Sequence, residues 1–234
     1  MAGRWRGEGG QHQGARPYQE DSWAVRPLAD GSLLAVLADG MGGHAGGATA
    51  SKLVVEAFVA ALSGGRSLAD GLKEANAAVS KGQVGKPQLQ GMGSTAVAAI
   101  LKGDDVRWIS VGDSPFYMIS AGKLSRLNAD HSMAPQIDEL HARGIITADE
   151  AANHPGRHTL REAVMGEPLT LIDEGSRRLA PDATLLMCSD GVESLEHPAI
   201  AAASRSVKGL IDAVLAVSGP HQDNITVIKL ERGS

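Results

Sequence analysis

Two apolar segments of the chain run directly into an Asp-Gly pair, at Asp39-Gly40 and at Asp190-Gly191. A strand before such a pair would hold the carboxylate rigidly, and the glycine would let the backbone turn tightly and approach a bound ion. Asp113 follows a third apolar segment, and Asp223 precedes a fourth. A single Asp-Gly after a strand is usually only a turn. Four acids at strand ends shift the balance towards one shared site.

The chemistry of such a site follows from its charge. Four carboxylates at one rim would repel each other and would be costly to desolvate without a cation. Oxygen ligands from aspartates and a glycine carbonyl suit Mg²⁺ or Mn²⁺ and do not suit structural zinc. Two such ions about 3.5–4 Å apart would deprotonate a water and stabilise the leaving oxygen of a displacement at phosphorus. On these residues alone, a metal site and a set of ordinary turns both stay open.

A second polar cluster near the N-terminus contains Arg16, Glu20 and Asp21, in the segment Gly-Ala-Arg-Pro-Tyr-Gln-Glu-Asp-Ser. Taken alone, this composition is typical of a solvated loop. In an enzyme that splits phosphate esters, the Arg16 guanidinium could grip two phosphate oxygens, and the two acids could orient waters of the metal site.

The composition narrows the class of protein. The chain has 234 residues, of which 43% are hydrophobic, enough for one large domain or two small ones, and we favour a single domain over 1–234. A net charge of -5 argues against a nucleic-acid partner. The one cysteine, Cys188, favours a reducing compartment, so we expect a cytoplasmic protein. Neither a signal-peptide core nor an apolar run long enough for direct membrane insertion is present in the sequence.

Hydrophobic periodicity predicts the elements that would position these acids. Strands are expected at 33–38, 95–101, 106–111, 116–119, 184–188 and 225–230, and helices at 48–62, 68–79, 133–143 and 207–217. The tetrapeptide at 102–105 predicts an antiparallel hairpin. A polar, helical insertion between Asp130 and Pro168 could form a lid. Hairpins beside long helices favour layered sheets over a doubly wound sheet.

Five motifs, in this order, resemble those of the metal-dependent protein phosphatase family, the type 2C serine/threonine phosphatases, and specifically its compact bacterial branch. They are Asp-Gly-Met-Gly-Gly-His at 39–44, Gly-Met-Gly-Ser-Thr at 91–95, Gly-Asp-Ser at 112–114, Cys-Ser-Asp-Gly at 188–191 and Asp-Asn-Ile-Thr at 223–226. The likeness covers roughly residues 14–230. It implies an α+β fold, a four-layer α/β/β/α sandwich of two antiparallel sheets flanked by helices, with a mobile flap at about 133–165 beside the active site.

The resemblance also implies which residues bind metal. Asp39 would bridge two Mn²⁺ or Mg²⁺ ions and Gly40 would lend its carbonyl. Asp190 and Asp223 would complete the site, and Asp113 would serve a third, weaker ion.

For the substrate, the resemblance assigns the phosphate to Arg16 and assigns Glu20 and Asp21 a role through water. Eukaryotic members carry a histidine where this chain has Met41, so His44 is the nearby candidate for the proton donor to the leaving alcohol. A helix-start or packing role for His44 stays open, as does proton donation by a metal-bound water.

Two positions depart from the family's pattern. Pro115 replaces the arginine that usually follows Gly-Asp-Ser, and Gln19 replaces the asparagine before Glu-Asp. Because proline cannot donate a backbone hydrogen bond, we expect Pro115 to start an edge strand. Neither change removes an expected metal ligand. Both bear on substrate positioning and on the third ion.

Three other readings compete with this one. A nucleotide-binding oxidoreductase is favoured by the G-x-G-x-x-A match at 40–45, but Glu56, in the place of the expected acid, lies inside a helical pattern. A cysteine-based phosphatase would need an arginine at the position of Ser194, six residues after Cys188. A catalytically weak phosphoprotein-binding module on the same fold should have lost a metal aspartate, and all four are present.

The function implied by the resemblance is hydrolysis of phosphoserine and phosphothreonine on proteins by metal-activated water, without a phosphoenzyme intermediate. A bacterial serine/threonine kinase would be the natural antagonist, so the expected partners are phosphorylated proteins, including that kinase and its substrates. Nucleic acid is not an expected partner, and we expect a monomer.

Overall fold

Twelve strands and six α-helices follow one another in the computed structural model, which describes residues 4–43 and 45–233. The strands are β1 (Trp5–His12), β2 (Ser22–Pro27), β3 (Leu33–Ala38), β4 (Gly40–Met41), β5 (Gly93–Ser94), β6 (Ala96–Lys102), β7 (Asp105–Val111), β8 (Phe116–Ser120), β9 (Lys123–Arg126), β10 (Asp173–Arg178), β11 (Thr184–Cys188) and β12 (Ile225–Arg232). The helices are α1 (Ala45–Ser63), α2 (Leu68–Gln83), α3 (Ala134–Ala142), α4 (Ala148–Ala152), α5 (His197–Ala203) and α6 (Val207–Val217). Short 3₁₀ turns lie at Pro87–Leu89 and Asp190–Ser194.

Ten of these strands form two five-stranded antiparallel sheets. The first sheet has the order β1-β12-β11-β8-β9, and the second has the order β10-β7-β6-β3-β2. Helices α1 and α2 pack on the outer face of the second sheet, and α5 and α6 pack on the outer face of the first. A third apolar cluster fills the space between the sheets. The α+β sandwich that the resemblance implied is confirmed, and the described strands contain none of the parallel pairs that a dinucleotide-binding sheet needs.

Strand β3 shows why a continuous apolar run forms a strand in this fold. Its alternate side chains, such as Leu34 and Val36, face the helices, while Ala35 and Leu37 face the first sheet. All six residues are buried because each face of the strand is covered. Each large apolar side chain buried in this way contributes about 1.5–3 kcal/mol to folding.

The strand directions bring the acidic residues to one end of the sandwich. Strands β3 and β7 both run antiparallel to β6, so the residues that follow them, Asp39 and Asp113, leave the second sheet at the same edge. Strand β11 runs antiparallel to β12, so Asp190 after β11 lies beside Asp223 before β12. The pairing of Ser22 with Ala38 sets the start of β2 beside the end of β3.

The hairpin expected at 102–105 is confirmed, because β6 and β7 pair in antiparallel register from Ala96↔Val111 to Lys102↔Asp105. The expectation that Pro115 starts an edge strand is wrong. Strand β8 lies between β11 and β9, inside the first sheet. Pro115 precedes this strand by one residue, so the ladder does not need its missing N–H, and its carbonyl accepts from the Cys188 N–H at 3.0 Å.

The insertion contains α3 and α4, as the polar helical pattern predicted. Its end is tied to the body of the protein by an antiparallel bridge between Ser94 and Val164. A second bridge, between Ser132 and Leu160, closes its base. Within the described residues, no helix combines the length and apolar character that crossing a membrane requires.

Candidate active site

A cavity of about 270 Å³ opens at the end of the sandwich where the acidic residues meet. Its walls include seven of the residues predicted from the sequence, namely Arg16, Glu20, Asp39, Gly40, Asp113, Asp190 and Asp223. His158 and Leu160 of the insertion also line it, so the segment expected as a flap does lie beside the cavity. Asp21 is not part of the wall, and His44 lies outside the described residues.

Asp39 is fixed through its backbone by the Gly-Met-Gly-Ser-Thr motif. Its N–H donates to Thr95 Oγ1 at 2.9 Å, and its carbonyl accepts from Thr95 N–H at 2.8 Å and from Ser94 Oγ at 2.9 Å. Thr95 Oγ1 is in turn 2.8 Å from Ser114 Oγ, next to Asp113. The two aspartates of the second sheet are therefore held in one hydrogen-bonded unit.

The N-terminal segment that carries Arg16 and Glu20 is held in place by Asn224. The buried side chain of Asn224 donates to Gln13 O at 2.8 Å and to Tyr18 O at 3.0 Å. Its Oδ1 accepts from Glu20 N–H at 2.8 Å. One amide thus fixes a loop that belongs to neither sheet against the start of β12.

Arg16 makes an ion pair with a predicted metal ligand. Its Nη2 lies 2.6 Å from Asp223 Oδ2, and about half of the Arg16 side chain is exposed to solvent. The other oxygen of Asp223 accepts from Asn224 N–H at 2.7 Å. The guanidinium therefore stands at the cavity mouth beside the carboxylates, where it can meet an incoming anion.

Asp21 lies behind the cavity and is only 5% exposed. Its Oδ2 accepts from Thr226 Oγ1 at 2.6 Å, whereas its buried Oδ1 has no hydrogen-bond partner. Asp190 Oδ1 is likewise buried without a partner. A buried carboxylate oxygen without a donor is costly, so each of these oxygens is placed where a cation or a water could satisfy it.

The protein environment opposes ionisation of this group of acids. Removal from water raises the pKa of Asp39 well above 3.8, and the charges of Asp21 and Asp190 raise it further. Burial, followed by the charge of Asp113, raises the pKa of Asp190 to about 8. Burial also raises the pKa of Asp21 and that of Asp113 to about 6. These are the consequences expected when carboxylates are collected without a counter-charge.

The donor set fits a hard divalent cation. It consists of carboxylate oxygens from both sheets, among them the buried and unpartnered Asp190 Oδ1, at a place where like charges need neutralising. Over residues 4–43 and 45–233, however, no three His, Cys, Asp or Glu side chains are already spaced around one ion. The ion pair with Arg16 directs the Asp223 carboxylate to the guanidinium. Ion binding should therefore draw the side chains together.

The raised pKa values predict an unusual pH dependence of stability when a chelator is present. In the folded state these carboxyl groups keep protons that they release in the unfolded chain. The folded state therefore loses stability as the pH rises. We therefore expect the melting temperature to fall by about 5 °C or more between pH 4.5 and pH 8. Mn²⁺ should restore it at pH 8. Scanning calorimetry at several pH values tests this, and a melting temperature in chelator that rises with pH would contradict it.

Gly40, the first residue of β4, is required by packing. A Cβ atom at this position would lie 2.2 Å from Gly47 O and 2.5 Å from Glu20 O. The start of α1 and the end of the N-terminal loop therefore approach the Gly40 backbone more closely than any side chain allows.

This close packing predicts a large effect for Gly40→Ala. The clash is with backbone atoms that cannot rotate away, so we expect a loss of about 3 kcal/mol in the free energy of unfolding. The matched control is Gly219→Ala, because a Cβ there meets nothing within 4 Å. Urea unfolding measures both variants, and equal midpoints for Gly40→Ala and the native chain would refute the packing argument.

Sequence reasoning missed several residues of this site. Thr95, Asn224 and Thr226 lie inside motifs that the sequence made visible, but their roles depend on hydrogen bonds to distant loops. His158 reaches the cavity wall from the insertion, and none of the motifs in the sequence marks it. Cys188 is fully buried and burial raises the pKa of its thiol, which fits a packing residue and not a nucleophile.

Comparison with known proteins gives a consistent result. A sequence profile of the family described as protein phosphatase 2C matches residues 7–225. The serine/threonine phosphatase stp of Listeria monocytogenes is 31% identical over 93% of this chain and 91% of that protein. The serine/threonine protein phosphatase PstP of Mycobacterium tuberculosis is 35% identical over 85% of this chain, which spans 40% of that protein.

Solved structures share the fold. The crystal structure of Mycobacterium tuberculosis PstP superposes with a TM-score of 0.83 at 29% identity, covering 98% of this chain and 99% of that chain. The catalytic domain of PstP in complex with two manganese ions superposes with a TM-score of 0.80 at 28% identity, again covering 98% of this chain and 99% of that chain.

Proposed function

Because this chain belongs to the protein phosphatase 2C family, and so is a serine/threonine protein phosphatase, we propose that it hydrolyses phosphoserine and phosphothreonine esters at the cavity described above. The observation that carries the assignment of the site is the meeting of acids from both sheets with Arg16 around one cavity. The presence of all four strand-end aspartates favours an enzyme over a binding module on the same fold.

We propose that Asp39, Asp190, Asp223 and the Gly40 carbonyl hold two divalent ions, Mn²⁺ or Mg²⁺, and that Asp113 serves a third. When bound, the ions would supply the charge that activates water and neutralises phosphate oxygens. A relative of known structure holds two manganese ions, which supports this number. The donor oxygens suit both metals, so which ion binds depends on conditions in the cell.

The remaining residues bind and orient. Arg16 can exchange its contact with Asp223 for two phosphate oxygens, because its half-exposed guanidinium already faces the cavity. Glu20 lines the wall, and Asp21 lies behind it with one buried oxygen available to accept a hydrogen bond from water. We propose His44 as the proton donor to the leaving alcohol, and His158 on the cavity wall is a second candidate.

The biological setting is an extension of the same proposal. We propose one catalytic domain over residues 1–234, acting in the cytoplasm as a monomer. Its substrates would be phosphorylated proteins, and a serine/threonine kinase would oppose it. The acidic net charge of -5 gives no support to a nucleic-acid partner.

Hydrolysis of a phosphothreonine peptide tests the proposed function. Phosphate release should require Mn²⁺ or Mg²⁺, stop on addition of chelator and return when the ion is restored. Activity that survives complete chelation would sink the metal-dependent mechanism. Tight peptide binding without turnover, in saturating Mn²⁺, would instead favour the phosphoprotein-binding module.

A further inference from the structure

Arg126, at the end of β9, makes an unusual number of contacts for one side chain. Its Nη2 donates to the carbonyl of Asp113 at 2.5 Å, and its Nε lies 3.3 Å from Asn128 Oδ1. Its Nη1 lies 3.3 Å from Asp130 Oδ2 and 3.7 Å from Glu193 Oε1. The side chain is only 21% exposed. All sides of the guanidinium fork are therefore in use.

These contacts join two turns that carry carboxylates of the cavity. The first turn follows β7 and contains Asp113. The second is the 3₁₀ turn Asp190–Ser194, which contains both Asp190 and Glu193. Glu193 is fixed from its other side by Tyr117 Oη, which donates to Oε1 at 2.9 Å. Pro115, which follows the first turn closely, has no side-chain donor. The Arg126 guanidinium reaches this turn from β9.

We propose that Arg126 is a positioning residue that ties the Asp113 turn to the Asp190 turn and so sets how these two carboxylates meet a divalent cation. The inference rests on the proposed function, because it concerns the same metal site. Arg126 itself lines a neighbouring cavity and is absent from the wall of the catalytic one. It acts through the turns it holds, without touching the substrate.

The shape of the Arg126 guanidinium and its charge should have opposite effects on Mn²⁺ affinity. An experiment can therefore separate the two effects. A positive charge near the acids opposes cation binding, so removing it should tighten the binding of Mn²⁺. A rigid fork that holds both turns promotes cation binding by fixing the ligands in advance. Lysine keeps the charge and loses the fork. Arg126→Lys therefore isolates the positioning effect.

The test is calorimetric titration of Mn²⁺ into the metal-free protein. We expect Arg126→Lys to weaken Mn²⁺ binding about tenfold. The matched control is Arg157→Lys, because Arg157 lines the same neighbouring cavity and is 25% exposed, but donates its hydrogen bonds to Asp138 and Ala151 of the insertion. The control should bind Mn²⁺ within about twofold of the native affinity. Native affinity in Arg126→Lys, with tighter binding in Arg126→Gln, would show a charge effect alone and overturn the proposal.

Phosphopeptide kinetics give a second readout that loss of folded protein would not mimic. In Arg126→Lys the Mn²⁺ concentration for half-maximal activity should rise about tenfold, while kcat at saturating Mn²⁺ stays within about twofold of the native value. A lower kcat with an unchanged half-maximal concentration would mean a merely structural role and would overturn the proposal.

A further variant keeps the test decisive if Arg126→Lys fails to fold. Tyr117→Phe changes no charge and removes only the hydrogen bond that steadies Glu193, so it should weaken Mn²⁺ binding in the same direction, by about threefold. Native affinity in that variant would count against the proposal. A native protein that binds Mn²⁺ and hydrolyses no phosphopeptide would contradict the proposed function and leave the calorimetric comparison valid.

Discussion

Replacement of Asp39 by asparagine is expected to lower kcat/KM by about a thousandfold or more and, at the same time, to stabilise the metal-free protein. The loss follows because this carboxylate would help to hold the ions, which would contribute several kcal/mol of transition-state stabilisation. The gain follows because burial and the charges of Asp21 and Asp190 oppose ionisation of this carboxyl, and asparagine removes the charge. One substitution should therefore separate catalysis from stability.

The measurement pairs phosphopeptide hydrolysis in saturating Mn²⁺ with melting in chelator at pH 8. The matched control is Asp30→Asn, near the opposite end of β3, where Asp30 accepts from Ser32 and pairs with Lys102 at 2.9 Å. The control should keep kcat/KM and should gain no stability. If Asp39→Asn kept a tenth of the native activity, Asp39 could not be an essential ligand of the ions. If it melted no higher than the native chain in chelator, the electrostatic argument would fail.

The interior strands were predictable because both of their faces are buried, so each appears in the sequence as a largely apolar run. Among the strands that the sequence did not predict, β1 and β10 are polar and contain glycines, which disfavour strands. Tertiary contacts explain both. A Cβ on Gly9 would lie 2.4 Å from the ring of Trp23, and a Cβ on Gly175 would lie 2.1 Å from the ring of Trp108. In each case a tryptophan from elsewhere in the sandwich covers a glycine, and this pairing leaves no local signal.

The residues of the site also divide into those that neighbouring sequence predicts and those that depend on distant contacts. Aspartates at strand ends could be predicted because strand and acid are neighbours in the chain, and the sheet directions then decide which ends meet. The role of Asn224 could not be predicted, because its partners Gln13 and Tyr18 lie more than 200 positions away. Arg126 gave no signal for the same reason. Its contacts with Asp113 and Glu193 exist only after two turns and a strand have come together.

Removal of the Arg16 side chain is expected to have opposite effects on the two ligands of the cavity. Arg16→Ala loses two charge-assisted hydrogen bonds to phosphate, together worth roughly 3 kcal/mol, so kcat/KM should fall about a hundredfold. KM should rise, and kcat should fall as well because these contacts tighten in the transition state. Mn²⁺ should bind at least as tightly as in the native protein, because the guanidinium no longer competes for Asp223.

Arg6→Ala is the matched control, since Arg6 is also exposed and forms a 2.7 Å ion pair, with Glu231, away from the cavity. Peptide kinetics and Mn²⁺ calorimetry on both variants separate the two roles of Arg16. An unchanged kcat/KM in Arg16→Ala would remove this residue from the substrate site. Weaker Mn²⁺ binding would instead show that the guanidinium helps to hold Asp223 in place for the ion. If Arg16 leaves Asp223 when the ion binds and then binds the substrate phosphate, Arg16→Ala must lower kcat/KM without weakening Mn²⁺ binding.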